Sequence, residues 1–481
     1  MKILIIGAGI SGLTTYLFLR KHLPSSSSHT IAIYEAYDTS KIYSQQPSSD
    51  PSADHFLVTA IGNALGIGVN GLNVLRRLDP QLFAEAVSRG CPVDKWLITN
   101  SRGWKLASMK MPTAPDGSVQ SIMIARQALW EVLRNHVPDS VIVNRKVVDV
   151  VIRKAKRNEV AFEDGKVEEA DLVIGADGIR SIVRTAMFRE DAVVGGKDYI
   201  TPRYEGLSGV GGFVDSGVLT GSGCEMGTMN LVFGPNGFFG CGVVDSRKDE
   251  KGEVVAGKTG AWWSTYFEAK CPDSKKFDHA AALEALQKRH GKWKNDTAKA
   301  VIQHLTADGK GIDGVLPTWT TPELPTWEKY GCVLVGDAAH ALQPSSGQGT
   351  SQAFEDAEAF TLLLKHYLSR TADVSFMAAV EKASQEYVEL RKPRLHEIYV
   401  RSQKMSKMKG DQGFLMEILM SAAIYAMSEF LYVPCDGSLT LTLTSSAFFM
   451  DKYNEKLMKY DVPKEVEKFV QERDGQLGSS L

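Results

Sequence analysis

Residues 2–12, Lys-Ile-Leu-Ile-Ile-Gly-Ala-Gly-Ile-Ser-Gly, decide the fold of this 481-residue chain. Lys2–Ile6 is an apolar run of strand length, and Leu13–His22 continues past Gly12 with helical spacing. A second apolar run, Thr30–Tyr34, ends in Glu35, twenty-three residues beyond Gly12. Strand, glycine turn, helix, strand and terminal acid form the context in which Gly-x-Gly-x-x-Gly carries physical meaning. Gly7 permits the tight turn, Gly9 lets backbone approach a pyrophosphate, and Gly12 lets helix and strand pack closely. Glu35 is placed to accept hydrogen bonds from an adenosine ribose. The bland alternative is a glycine turn in an ordinary βαβ unit, which the position of the acid disfavours.

Two further corners share this design. Residues 336–349, Gly-Asp-Ala-Ala-His-Ala-Leu-Gln-Pro-Ser-Ser-Gly-Gln-Gly, follow the apolar run Cys332–Val335 and precede Thr350–Lys365, whose apolar residues recur at helical spacing. Asp337 therefore leaves a strand end, and a Gly/Pro/Ser loop feeds a helix N-terminus, where free backbone N–H groups favour an anion. Ala170–Ile174 is a third strand-like run, ending in Gly175-Ala176-Asp177-Gly178 before Ile179–Arg184. Alone, that segment would be an Asp-Gly turn.

Taken together, in this order and spacing, the three segments resemble the class A FAD-dependent monooxygenases, the single-component hydroxylases and epoxidases related to para-hydroxybenzoate hydroxylase. The resemblance runs from Met1 to about Arg401. It implies that Gly7, Gly9, Gly12 and Glu35 hold the ADP half of FAD. Asp337, after Gly336, would bind the ribityl chain, and Pro344 with Gly347, Gln348 and Gly349 would flank the isoalloxazine ring. Asp177 stands in the motif associated with both FAD and the nicotinamide cofactor. Arg126, in Ile124-Ala125-Arg126-Gln127-Ala128-Leu129, matches the family arginine that contacts FAD; otherwise it is a solvated charge at a helix start. Tyr204-Glu205-Gly206 and Leu390-Arg391-Lys392-Pro393-Arg394 also match family features. Two departures stand out. Glu35 is followed by Ala36 where the family often has Arg, and Tyr37–Ala60 is a long Ser/Pro-rich insertion. The pattern resumes at Gly66–Gly71, a glycine-rich turn opening an amphipathic helix.

The implied fold class is α/β: a Rossmann-like FAD-binding fold of the glutathione-reductase type, interleaved with an antiparallel-sheet substrate domain and followed by a helical C-terminal region. The expected domains are 1–199 with 317–400, then 200–316, then 401–481. Within the second, Met229–Phe233 and Phe238–Val244 flank Gly234-Pro235-Asn236-Gly237 and predict a β-hairpin. Alternation puts Met229, Leu231 and Phe233 on one face, without saying which face meets a ligand. Phe238 and Phe239 are candidates to stack on a substrate, against ordinary core packing. Arg203 and Tyr204 are further polar candidates, whereas Trp262, Trp263 and Trp293 suit cores. Glu381–Lys409 is helical in pattern. Gly413–Val433 is mostly apolar, with only Glu417 and Glu429 charged, and suits a buried or interfacial helix better than a span. It leaves peripheral membrane contact and a homodimer contact open beside simple packing. Asp436–Ser446 resembles a strand or loop, and Asp451–Asp474 a charged helix.

Composition excludes more than it selects. A net charge of −2 gives no reason to expect nucleic acid or an anionic membrane as partner. Six cysteines without a Cys-x-x-Cys or a His/Cys cluster argue for a reducing compartment, no disulfides and no metal. The glycine spacing at the apolar N-terminus argues against a targeting peptide. A cytoplasmic location is expected, with membrane association open. No serine triad is present, and His340 is read as a structural histidine beside the loop.

The resemblance implies the chemistry. NADPH or NADH reduces the flavin, dioxygen adds at C4a, and the flavin C4a-hydroperoxide hydroxylates or epoxidises an electron-rich carbon, the second oxygen leaving as water. The Ser/Pro insertion and extra tail point to a lipophilic aromatic or polycyclic natural-product substrate, as in fungal secondary-metabolism members. A catabolic phenol or salicylate hydroxylase is the runner-up, followed by a flavin oxidase. A non-catalytic carrier of the GDP-dissociation-inhibitor type should lack the Pro344–Gly349 loop.

Overall fold

The structure, a computed structural model, describes residues 1–23, 29–39, 64–111, 117–194, 196–273, 276–309, 311–370, 375–408, 414–430 and 456–478. Residues 40–60 of the Ser/Pro-rich insertion, the segment 436–446 and Cys435 lie outside them.

A six-stranded sheet carries the Gly-x-Gly-x-x-Gly turn near its centre. Its order is Glu328–Lys329, Cys332–Leu334, Leu172–Gly175, Lys2–Ile6, Thr30–Glu35 and Ile142–Asn144. Every pairing is parallel except that of the short Glu328–Lys329 edge. Parallel strands are covered on both faces, which is why Ile3–Ile5, Leu172–Ile174 and Cys332–Leu334 are unbroken apolar runs, and all are fully buried. Helix α1 (Ile10–His22) leaves the glycine turn, and α2 (Val69–Leu78) starts after Gly68. A small sheet of Ala64–Ile67, Ile122–Ala125 and Cys91–Pro92 then leads into α3 (Arg126–Asn135). Helix α4 (Ile182–Val194) follows the Gly175–Gly178 corner.

The second sheet has seven strands, ordered Gly314–Thr320, Arg203–Asp215, Thr259–Phe267, Gly237–Val243, Thr228–Gly234, Lys95–Asn100 and Lys105–Lys110. The expected hairpin is present, with Phe233 opposite Phe238. One pairing departs from the antiparallel expectation: Thr228–Gly234 runs parallel to Lys95–Asn100. Two strands of this sheet thus come from outside residues 200–316, a pairing between distant segments that no local pattern announces. Helices α5 (His279–His290) and α6 (Asp296–Asp308) cover one face, where Phe239, Cys241, Trp262, Leu286, Val301 and Leu305 form a core.

The chain then returns to the first sheet. Helix α7 (Gly349–Ser369) packs against α1, and α8 (Phe376–Met408) against α7. Helix α9 (Phe414–Phe430) lies on Lys105–Lys110, the edge of the seven-stranded sheet. Helix α10 (Val462–Gly478) buries Val462, Val466 and Val470 in the core around the six-stranded sheet. Of the expected helix Asp451–Asp474, the described part is helical at 456–458, breaks at 459–461 and resumes at Val462. Pro463 has no N–H and fits only a first helical turn, where that donor would be unpaired anyway.

Candidate functional site

Three adjacent parallel strands end at one edge, and their three following turns meet there. Gly7 adopts φ +103°, and a Cβ on it would lie 2.6 Å from the Ala176 carbonyl oxygen. The Gly7 N–H donates to the Tyr34 carbonyl at 2.8 Å, and the Ala176 N–H to that of Ile6 at 2.9 Å. Gly336 has φ +59°, and its Cβ would lie 2.2 Å from Ser11 Oγ. Gly7 therefore lets the turns after Ile6 and Gly175 touch backbone to backbone, and Gly336 lets the turn after Val335 close on the Ser11 side chain of α1. Crevices beyond the carboxyl ends of parallel strands are where such sheets bind ligands.

Each acid behaves differently at this edge. Glu35 Oε2 accepts the Ala8 N–H at 2.7 Å and Oε1 the Tyr37 N–H at 3.1 Å, so the second-strand acid shapes the glycine turn. Asp177 Oδ2 accepts the Ile182 and Val183 N–H groups at 2.7 and 3.2 Å and thereby caps α4. Burial raises its pKa. Asp337 is exposed at the start of a single helical turn, Asp337–His340. Its carboxylate is the charge acting on the Arg126 guanidinium at the start of α3, whose pKa burial pulls down and Asp337 pulls back up. Arg126, Asp337 and the glycine turn, far apart in sequence, therefore share one site.

Space at this edge fits an extended, polar cofactor. Cβ atoms added to Gly9, Gly347 or Gly349 would meet nothing within 4 Å. Gly347 (φ +60°) ends the short Pro344–Ser346 turn, and Gly349 begins α7, aiming a helix N-terminus into the open side. Buried Asp177 Oδ1, at the second corner, has no partner among the described residues, and a ligand at this edge could satisfy it. Gln348 differs from its glycine neighbours. Its side chain is buried and accepts from Asn70 Nδ2 at 3.0 Å.

Beneath the loop lies a sealed network that motif reading passed over. Arg391 donates to Glu355 at 2.6 Å, Asp356 at 3.0 Å and Gln352 Oε1 at 2.7 Å. Arg394 holds both Glu355 oxygens at 2.8 Å, and Asn70 donates to Glu355 at 2.7 Å. Asp356 Oδ2 meets His340 Nε2 at 2.5 Å and accepts the Gly336 N–H at 3.0 Å. Burial alone would raise both carboxyl pKa values. Arg394 and Arg391 hold Glu355 below its usual range, and His340 with Arg391 does the same for Asp356. His340 is thus a strut of the loop. Arg184, fully buried, donates to the Ala338 carbonyl at 2.9 Å and locks the second corner to the third. Trp130 Nε1 donates to the Ala8 carbonyl at 2.8 Å and locks α3 to the first.

The substrate candidates divide between places. Phe238 shares a face with Leu231 and Phe233, packed by Trp96, Met229, Trp263 and Ile424 of α9. Phe239 points the other way, stacked 5.8 Å from Trp262 inside the helix-covered core and 0% exposed. The two rings therefore cannot act on one ligand, and Phe239 serves packing. The Met229 face continues to Met123 and Ala64, just before Arg126, so it is the face turned toward the cofactor edge. Tyr204 spends its hydroxyl on the Glu268 carbonyl at 2.7 Å and on Ser208 at 3.0 Å, while Arg203 is exposed at the strand start. Between them and the loop stands Glu205. It accepts from Thr320 Oγ1 at 2.5 Å and Gln343 Nε2 at 2.8 Å, tying the seven-stranded sheet to residues 343–346. Its only sequence signal was its place inside Tyr204-Glu205-Gly206. No group of residues suited to a metal ion occurs among the described residues.

Comparison with known proteins bears on the fold and the class of chemistry. No family model matches the chain. It is 26% identical over 411 residues to a chloroplastic zeaxanthin epoxidase of Solanum lycopersicum, covering 83% of this chain and 53% of that one. The chain thus spans about half the length of that relative. It is 24% identical over 416 residues to the FAD-dependent monooxygenase penM of Penicillium crustosum, covering 85% and 79% respectively. The structure of Klebsiella pneumoniae HpxO, solved with FAD and uric acid, matches with TM-score 0.67 at 19% identity over 89% of this chain and 93% of its own. That likeness speaks to fold. The chain is a homologue of the FAD-dependent monooxygenases and has the fold of the class A flavoprotein hydroxylases.

Proposed function

We propose that this chain is an FAD-dependent monooxygenase that consumes NAD(P)H and dioxygen to oxygenate a lipophilic aromatic or polycyclic substrate. One oxygen atom enters the substrate, and the other leaves as water with the two electrons of the nicotinamide. The observation that carries the reading is the meeting of Gly7–Gly12, Asp177 and Arg126–Asp337 at one open edge facing an apolar sheet. Bound FAD would supply the two-electron activation of dioxygen.

The chain's residues then have definite tasks. The Gly7–Gly12 turn and the α1 N-terminus would hold the diphosphate, and Glu35 retains acceptor capacity for ribose hydroxyls beyond the two N–H groups it takes. Asp337 would bind the ribityl hydroxyls, beside Arg126. The α7 N-terminus at Gly347–Gly349, flanked by Pro344, favours negative charge on a reduced ring. Phe238 and Met229, on the face shared with Trp96 and Trp263, would position the substrate and exclude water. A contact beyond the chain through the C-terminal region, with a lipid surface or a second copy, belongs to the same reading.

Purified protein should be yellow, retain FAD through gel filtration, and show NAD(P)H oxidation with oxygen uptake stimulated by polycyclic phenols. Labelled dioxygen should leave one heavy oxygen atom in the product. Colourless protein that takes up no added FAD would overturn the reading in favour of a carrier. Phe238→Ala and Phe239→Ala remove equally buried rings and should each lower stability by about 3–5 kcal/mol. Only Phe238→Ala should also alter the KM for an accepted phenol.

A further inference from the structure

Helix α9 has two unlike faces. Its inner face is anchored to the turn between the last two strands of the seven-stranded sheet. Ser101 Oγ bonds Glu417, Asn100 Nδ2 donates to Ser421 Oγ at 3.3 Å, and Ile424 is buried beside Phe238. Its outer face exposes Ile418, Leu419, Ala422, Ala423, Tyr425 and Ala426. Leu419 is 55% and Tyr425 53% exposed. Among the described residues, that face carries no charged side chain.

The corner beside it is basic. Trp104 is 59% exposed, with the Arg102 guanidinium 5.5 Å from its ring. Lys105 follows. The Lys294 N–H donates to the Ser101 carbonyl at 2.7 Å, which brings exposed Lys292 and Lys294 to the same turn. Lys105, Lys292 and Lys294 make no ion pair among the described residues. Ser101 thus joins an apolar helix face, an exposed tryptophan and a cluster of cations, in a chain whose net charge is −2.

We propose that this corner and the outer face of α9 seat the protein on an anionic lipid surface. The pattern has three matching parts. Aliphatic side chains reach the acyl boundary, Trp104 and Tyr425 suit the headgroup level, and the lysines meet anionic headgroups. Among the described residues no helix is long and apolar enough to cross a membrane, and Glu417 and Ser421 are spent inward, so α9 lies flat. Its opposite side walls the Phe238 face, so a lipophilic molecule would pass from bilayer to sheet beside one helix. The cation cluster decides between occupants: an anionic plane answers it, whereas a second copy would have to bring an acidic patch. The lipid contact stands whether or not the cofactor assignment holds.

The test is co-sedimentation of the full chain with phosphatidylcholine vesicles, with and without phosphatidylserine. Binding should require the anionic lipid and weaken with added salt. Leu419→Glu should lower partition about tenfold or more, and Lys105→Glu with Lys294→Glu several-fold, at unchanged circular dichroism. In the unaltered protein, vesicles should slow hydrogen exchange across residues 414–430, a readout that needs no variant to fold. Three outcomes overturn the proposal: no partition into either vesicle, partition indifferent to charge and to Leu419→Glu, or a dimer in solution that Leu419→Glu splits.

Discussion

Two sets of acids flank the loop at residues 336–349, and they differ in almost everything but chemistry. Asp337 is exposed, faces Arg126 across an open edge, and holds no other element in place through its carboxylate among the described bonds. Glu355 and Asp356, within the first two turns of α7, are fully buried and bind Arg391, Arg394, His340 and Asn70. The first acid is free to serve a ligand. The second pair holds still the loop on which the first is mounted, because buried charges must be fully paired and fully paired charges do not move. The open acid and the sealed pair are thus carried by one short stretch of chain, Asp337 to Asp356.

That division predicts different failures. The largest effect belongs to Glu355→Ala, which leaves Arg391 and Arg394 buried without their shared partner. It should cost about 3–5 kcal/mol in denaturant unfolding, even without FAD. Acid should attack the same network. The folded-state pKa values of Glu355 and Asp356 lie below their ordinary 4.5 and 3.8. Their contribution is therefore complete above those values and lost as pH falls through the depressed ones. The unfolding midpoint should drop on acidification below about pH 5, and Asp356→Asn should flatten that drop.

Asp337→Ala should do the converse. Apo-protein stability should stay within about 0.5 kcal/mol, while FAD affinity, read by fluorescence titration, falls about 10- to 100-fold, the worth of a charge-assisted hydrogen bond. Equal loss of stability in both variants would erase the distinction between the two sets. Arg126→Ala should weaken FAD binding less, by about tenfold, because the Asp337 charge already partly balances its guanidinium. An unchanged flavin-to-protein absorbance ratio after gel filtration would remove Arg126 from the site.

Much of this was legible in the chain. Gly7 and Gly336 adopt a left-handed φ that favours glycine, and Gly12 must clear the Gly7 carbonyl within the same turn, constraints that are local. The three acids at strand ends, Glu35, Asp177 and Asp337, are visible because a strand must precede them and a helix must follow. The Arg391–Arg394 cluster was visible as a charge run but not as a network. Its partners lie 35 to 39 residues away on another helix, and nothing in a helical pattern says that charged positions face inward. The same holds for Glu205 and Gln343, and for the parallel pairing of Thr228–Gly234 with Lys95–Asn100.

The sequence by itself determined the parallel sheet, its three turns and the glycines and acids that stand at their corners. Each depends on short-range chemistry: strand period, glycine conformation and a helix N-terminus. Only the tertiary structure decided which of the two opposite-facing rings, Phe238 or Phe239, enters the helix-covered core, which partners His340 and Arg391 take beneath the loop, and that α9 keeps an apolar face outward. Those outcomes depend on which distant surfaces meet, and burial is a property of the assembled chain, not of any window along it.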